Sequence, residues 1–114
     1  MTFKVKTTAS GARNVSIQAR GWLPRNTDIF KLVEFEHHGL KLTSFLFLIQ
    51  EKAGLYLWWD RDGNDLILPL ESRGAFKLEL GIKSPEDWSG QIWAEAYGVV
   101  EAPRAFLLLM DFDR

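Results

Sequence analysis

Strict alternation of apolar and polar residues recurs along this 114-residue chain, and it limits the fold more than any other feature. A period of two places successive side chains on opposite faces of an extended strand, so a chain patterned this way cannot bury its apolar residues as helices. Residues 2–8 alternate Phe3 and Val5 with Lys4 and Lys6. Residues 14–20 set Val15, Ile17 and Ala19 on one face, and residues 32–37 oppose Val33 and Phe35 to Glu34 and Glu36. The pattern returns in 55–60, 65–71, 75–80, 91–99 and 104–112. Gly11, His38-Gly39, Arg73-Gly74 and Ala102-Pro103 punctuate it as turns, and residues 21–26 read as a loop from their Gly, Pro and Asn content.

Residues 42–50 fit two templates. Leu42, Phe45, Leu46 and Ile49 follow helical spacing, with Gly54 placed to cap. The strand reading sets Phe45, Phe47 and Ile49 against Leu46 and Leu48, and it is preferred because it joins the following segments as a continuous meander. The one helix start is Ser84-Pro85-Glu86-Asp87, a capping serine followed by proline and two acids, which Ser89-Gly90 ends within a turn. About eight to nine short strands, with one short helical turn near 84–89, predict a single all-β domain over residues 1–114. It is an antiparallel β-sandwich of jelly-roll or Ig-like type.

Composition narrows the function classes. Hydrophobic residues make up 46% and charged residues 25%, as in globular domains. No apolar run approaches the roughly 18 residues of a membrane-spanning helix, and the N-terminus lacks a secretory pattern. A cytoplasmic setting is expected, with a phage or virion component equally compatible. The absence of cysteine excludes disulfides, thiolate chemistry and cysteine-ligated zinc. The net charge of −1 argues against nucleic-acid binding driven by electrostatics. Charge is nevertheless uneven: residues 1–30 hold five basic side chains and Asp28 alone as an acid, while the remainder holds nine basic and fourteen acidic ones. Pairing between neighbouring strands accounts for such a split, as does a basic edge of one copy meeting an acidic edge of another.

Between Leu55-Tyr56-Leu57-Trp58-Trp59 and Leu66-Ile67-Leu68-Pro69-Leu70 lies the acidic stretch Asp60-Arg61-Asp62-Gly63-Asn64-Asp65. Asp60, Asp62, Asn64 and Glu71 fall at the first, third, fifth and twelfth positions of a calcium loop, and Ile67 at the eighth. These twelve residues resemble the EF-hand loop, which implies calcium ligation by those side chains. The likeness fails at Asp65, which replaces the glycine of the sharp turn, and Gly54 and Gly74 interrupt the flanking helices such a loop requires. Two alternating runs around Asp-Gly and Gly-Asn read instead as a β-hairpin. A looser calcium site at its tip would use Asp60, Asp62 and Asp65. Glu34, Glu36 and His38 share one strand face and form a second metal reading, although exposed carboxylates of this kind are usually just solvated.

The chain carries five tryptophans. Trp58 and Trp59, adjacent on one strand, must point to opposite faces, so at most one lies in a given core. Trp22 and Trp88 fall on expected loops, where aromatic rings either lid a sandwich or stack on sugars. No nucleophile elbow or phosphate-binding glycine loop occurs, which argues against an enzyme. Three strands are apolar on both faces: 45–49, 55–59 and 106–110. A sandwich strand keeps one face wet, so these outer faces require cover from loops 21–31 and 81–90, from a partner, or from a second copy. The leading expectation is a non-catalytic binding module that recognises a protein or carbohydrate through Trp22, Trp88 and one of Trp58 or Trp59. The alternatives are a self-assembling structural subunit and a small metal-binding protein.

Overall fold

The computed structural model describes residues 2–23, 29–36, 39–50, 52–99 and 104–114. Nine strands form: β1 (Thr2–Ser10), β2 (Asn14–Leu23), β3 (Phe30–Glu34), β4 (Lys41–Ile49), β5 (Gly54–Trp58), β6 (Leu66–Glu71), β7 (Arg73–Lys83), β8 (Gln91–Tyr97) and β9 (Arg104–Asp113). Each alternating segment of the sequence becomes one of them, and 41–49 is extended rather than helical.

The strands build two antiparallel sheets, β1-β2-β9-β4-β7 and β3-β8-β5-β6. Pairing is nested: β5 with β6, β4 with β7, β3 with β8 and β2 with β9. One long folded hairpin wound over itself gives this order, which is the jelly-roll sandwich. The expected meander over 42–80 therefore holds only for β5–β6. β4 and β5 lie in different sheets, because β4 takes β9 and β7 as neighbours while β5 takes β8 and β6.

The two inner faces form one core. Ile17, Leu42, Leu108, Met110 and Phe112 come from the first sheet and Leu55, Leu57, Leu70, Ile92 and Ala94 from the second, each at most 1% exposed. Parity along β8 shows how the sequence achieves this: Ile92, Ala94 and Ala96 point inward while Gln91, Trp93, Glu95 and Tyr97 face out. Burying the larger apolar side chains contributes about 1.5–3 kcal/mol each before conformational entropy is subtracted.

Segment 84–90 forms a turn, closed by Trp88 N–H donating to the Pro85 carbonyl at 3.2 Å, and among the described residues no helix occurs. Ser84 does not cap. Its hydroxyl accepts the Leu40 amide at 3.0 Å, and its own amide donates to the Leu40 carbonyl at 2.9 Å, which ties the turn to the start of β4.

All four sheet edges are blunted. β1 carries Lys4, Lys6 and a bulge between Thr7 and Ala9, and β3 is five residues long with a break between Lys31 and Val33. β6 contains Pro69, and β7 leaves regular pairing with β4 between Lys77 and Ile82, where Gly81 has φ of 69°. Each device opposes strand addition at an edge. The surfaces left for recognition are the faces.

Candidate binding faces of the sandwich

The outward residues of β5 and β8 are mainly aromatic. Trp58 stands directly across from Trp93, Tyr56 across from Glu95, and Gly54 across from Tyr97. On the β6 side, Tyr56 meets Pro69 and Trp58 meets Leu66. On the β3 side, Lys31 lies opposite Trp93 and Glu34 opposite Gln91. The four rings are half-buried, and three of them touch: Tyr56 and Tyr97 centroids are 4.7 Å apart, Tyr56 and Trp58 6.4 Å. Cross-strand aromatic neighbours on a sheet contribute about 0.2–1 kcal/mol each, and the diagonal Tyr56–Tyr97 contact helps this face hold its shape.

Polar groups of the face brace one another. Lys31 Nζ donates to Glu34 Oε1 at 2.9 Å, Gln91 Nε2 donates to Glu34 Oε2 at 3.3 Å, and Trp93 Nε1 donates to Gln91 Oε1 at 3.2 Å. The hydrogen bond from Lys31, and then that from Gln91, hold the Glu34 carboxyl below the usual carboxylate range. The Arg61 guanidinium sits 5.6 Å from the Trp93 ring centre, within cation–π range. Beside the ring opens a cleft of about 570 Å³, bordered by Trp93, Arg61, Asp60, Asp65 and Asp87. Tyr97 donates its hydroxyl to the Leu70 carbonyl at 3.1 Å. Burial first, and then the Glu71 carboxylate, raise its pKa above the ordinary tyrosine value.

The expected tryptophan site is redistributed. Trp59 and Trp88 are each only 4% exposed and pack edge to face at 4.9 Å, with Trp88 also against Phe35. Trp88 Nε1 donates to the Gln91 carbonyl at 2.8 Å. Their rings close one end of the core and reach the surface only as a narrow margin at the floor of the cleft beside Trp93, because the 84–90 turn folds inward rather than outward. Trp22 is 50% exposed, but on a strand: β2 continues through Gly21, and Trp22 faces Ala105 on the outside of the larger sheet. Of the adjacent pair, Trp58 is the one on the outer face, and its Nε1 is buried without a hydrogen-bond partner among the described residues. Trp93, Tyr56 and Tyr97 lie outside the expected ligand set, though the run Gln-Ile-Trp-Ala-Glu-Ala-Tyr carries the signal. Its small and aliphatic positions take the core, so its aromatics must face outward.

The acidic turn is a hairpin connection. Asp60 accepts the amides of Asn64 at 3.1 Å and Asp65 at 2.9 Å through Oδ1, and Trp59 N–H donates to the Asp65 carbonyl at 2.9 Å. Gly63 supplies the positive φ, 74°, that the turn requires. The Asp60 carboxylate thus points at its own backbone. Among the described residues, no group of three or more His, Cys, Asp or Glu side chains is arranged to hold a metal ion, so Asp60, Asp62 and Asp65 do not converge as such a group. His38, part of the other metal reading, lies outside the described residues, as does His37. Among the described residues no helix is long and apolar enough to cross a membrane.

The second face is the outside of the five-stranded sheet. There Leu48 pairs with Leu107 and Leu46 with Leu109, at the sheet centre, so two of the three doubly apolar segments are neighbours. Leu46 is 36% and Leu48 49% exposed. Cations flank these leucines on both sides: Lys4, Lys6 and Arg20 on β1 and β2, Arg73 and Lys77 on β7. Asp111 and Asp113 are acids on this face, and Ser16 and Ser44 each donate a hydroxyl to Asp111 at 2.5 Å.

No known protein family, curated protein or solved structure matches this chain.

Proposed function

We propose that this domain is a non-catalytic binding module that recognises a protein or carbohydrate partner through the aromatic outer face of its four-stranded sheet. The observation that carries this reading is the direct cross-strand pairing of Trp58 with Trp93, extended by Tyr56 and Tyr97. Trp, Tyr and Arg dominate the energetics of protein interfaces because they bury large rigid area around a polar handle. The same rings stack on the apolar faces of sugars, with Gln91 and Glu95 placed to bond hydroxyls. Lys31, Glu34, Gln91 and Trp93 are already hydrogen-bonded to one another, as suits a surface that holds shape rather than one that moves protons.

Intrinsic tryptophan fluorescence titrated with a glycan panel and with candidate proteins tests it. The expected result is a change in emission that Trp93→Ala and Tyr56→Ala abolish and Trp22→Ala leaves intact. Binding that survives both of the first two and disappears with Trp22→Ala moves the site to the other sheet and overturns the reading.

A second reading, a self-assembling structural subunit, is favoured by one observation of its own: the exposed leucines of β4 in register with half-buried leucines of β9.

A further inference from the structure

We infer that the partner of the aromatic face is a second copy of this chain, presented through the leucine face of its five-stranded sheet, so that copies stack head to tail. This rests on reading the aromatic face as a binding surface, and names its occupant.

Charge selects this arrangement over the other ways two copies can meet. The leucine face carries seven cations, Lys4, Lys6, Arg20, Lys41, Arg73, Lys77 and Lys83, against Asp111 and Asp113, with Glu79 beside them on β7. Two such faces related by a two-fold axis place cation against cation whether the axis runs along the strands or across them, since both flanks of the leucine stripe are basic. Like charges brought together at an interface oppose association. The aromatic face and its adjoining cleft present the complement: Glu34, Glu71, Glu95, Asp60, Asp65 and Asp87, against Lys31 and Arg61. Of those two bases, Lys31 is engaged by Glu34 and Arg61 lies over Trp93.

Shape agrees. Both faces are sheet surfaces with an apolar centre and a charged margin, and sheets pack face to face about 10 Å apart by interdigitating such residues. The smaller sheet limits the contact: four strands at about 4.8 Å spacing and about 20 Å long give a footprint on the order of 400 Å². That lies below the roughly 800 Å² per partner of a standard stable interface and fits weak, concentration-dependent association. The edges, being blunted, do not compete. Because the two surfaces differ, the contact is heterologous and does not close at a dimer, giving rings or open stacks.

Sedimentation velocity over a concentration series, with folding checked by far-UV circular dichroism, tests this. The wild-type chain is expected to pass beyond a dimer as concentration rises and to shift back towards monomer at high salt. Leu48→Asp removes the leucine face and Tyr56→Asp the aromatic face; each alone is expected to sediment as a monomer. Mixed in equal amounts they should form a dimer and nothing larger, because each keeps the face the other lacks. Arg20→Glu with Lys77→Glu, at exposed rim positions, provides a second leucine-face variant whose fold is not at risk. A wild-type species that stops at a dimer, or a mixture that stays monomeric while both variants are folded, overturns the proposal. A wild-type chain that stays monomeric while glycan or protein titration still perturbs Trp93 overturns the stacking and leaves the binding-module reading standing.

Discussion

Tyr97 lies across the backbone of Gly54, its partner on the neighbouring strand, so closely that a β-carbon at position 54 would collide with the ring at Cζ, Cε1 and Oη. The glycine lets the phenol lie flat on β5 and reach the Leu70 carbonyl on β6, which joins three strands through one side chain. Gly54→Ala is therefore expected to expel the ring and lower stability by about 1–3 kcal/mol, the range for losing packing together with a half-buried hydrogen bond. Urea unfolding measures the loss. If Gly54→Ala proves neutral in stability and partner binding, the ring has room to shift and the face is not rigid.

The pKa of Tyr97 gives a pH signature. Its folded-state value is raised above the unfolded one, so its contribution to stability is fully present below about pH 10 and is lost as pH rises towards the folded pKa. The wild-type chain should lose more stability than Tyr97→Phe between about pH 9 and pH 11. Unfolding midpoints measured across that window decide it; parallel curves for the two proteins would deny the linkage.

Removing the carboxylate of Asp60 frees the amides of Asn64 and Asp65 at the hairpin tip. Asp60→Ala is expected to cost about 0.5–2 kcal/mol, like other side chains that cap backbone amides. Millimolar calcium or a chelator should leave the melting temperature of the wild-type chain unchanged. A calcium-dependent rise that Asp60→Ala abolishes would restore a metal role to the turn.

The tryptophans separate by depth. Trp88→Ala should destabilise by about 3–5 kcal/mol, since it empties a core site and removes a hydrogen bond, whereas Trp22→Ala should stay within about 0.5 kcal/mol. Trp58→Phe should cost less than Trp88→Phe, because the Trp58 indole N–H is buried without a partner among the described residues while that of Trp88 is bonded. Equilibrium unfolding of the four variants gives the ranking directly.

Much of the fold was legible because alternation is local. Val15, Ile17 and Ala19 announce an inward face whichever strand they pair with, and all nine strands appear where the pattern placed them. The same rule required Trp58 and Trp59 to part, and it marked β4, β5 and β9 as apolar on both sides. Local composition misled at two places. Gly21 and Pro24 suggested a loop at Trp22, but ladder bonding to β9 carries β2 through to Leu23. The Ser84-Pro85 start suggested a helical turn, but a backbone contact with Leu40 claims the serine.

An all-β class, the strand positions and the inward or outward parity of most side chains are written in the chain itself, since these follow from a period of two and from turn residues. The tertiary structure alone decided that β4 joins β9 rather than β5, which sets Leu46 and Leu48 beside Leu109 and Leu107. It alone brought Trp93 opposite Trp58 and consigned Trp59 and Trp88 to the core. Partner choice and register depend on contacts between residues far apart in the chain. In a strand apolar on both faces, no local pattern says which face meets the other sheet and which is left for a partner.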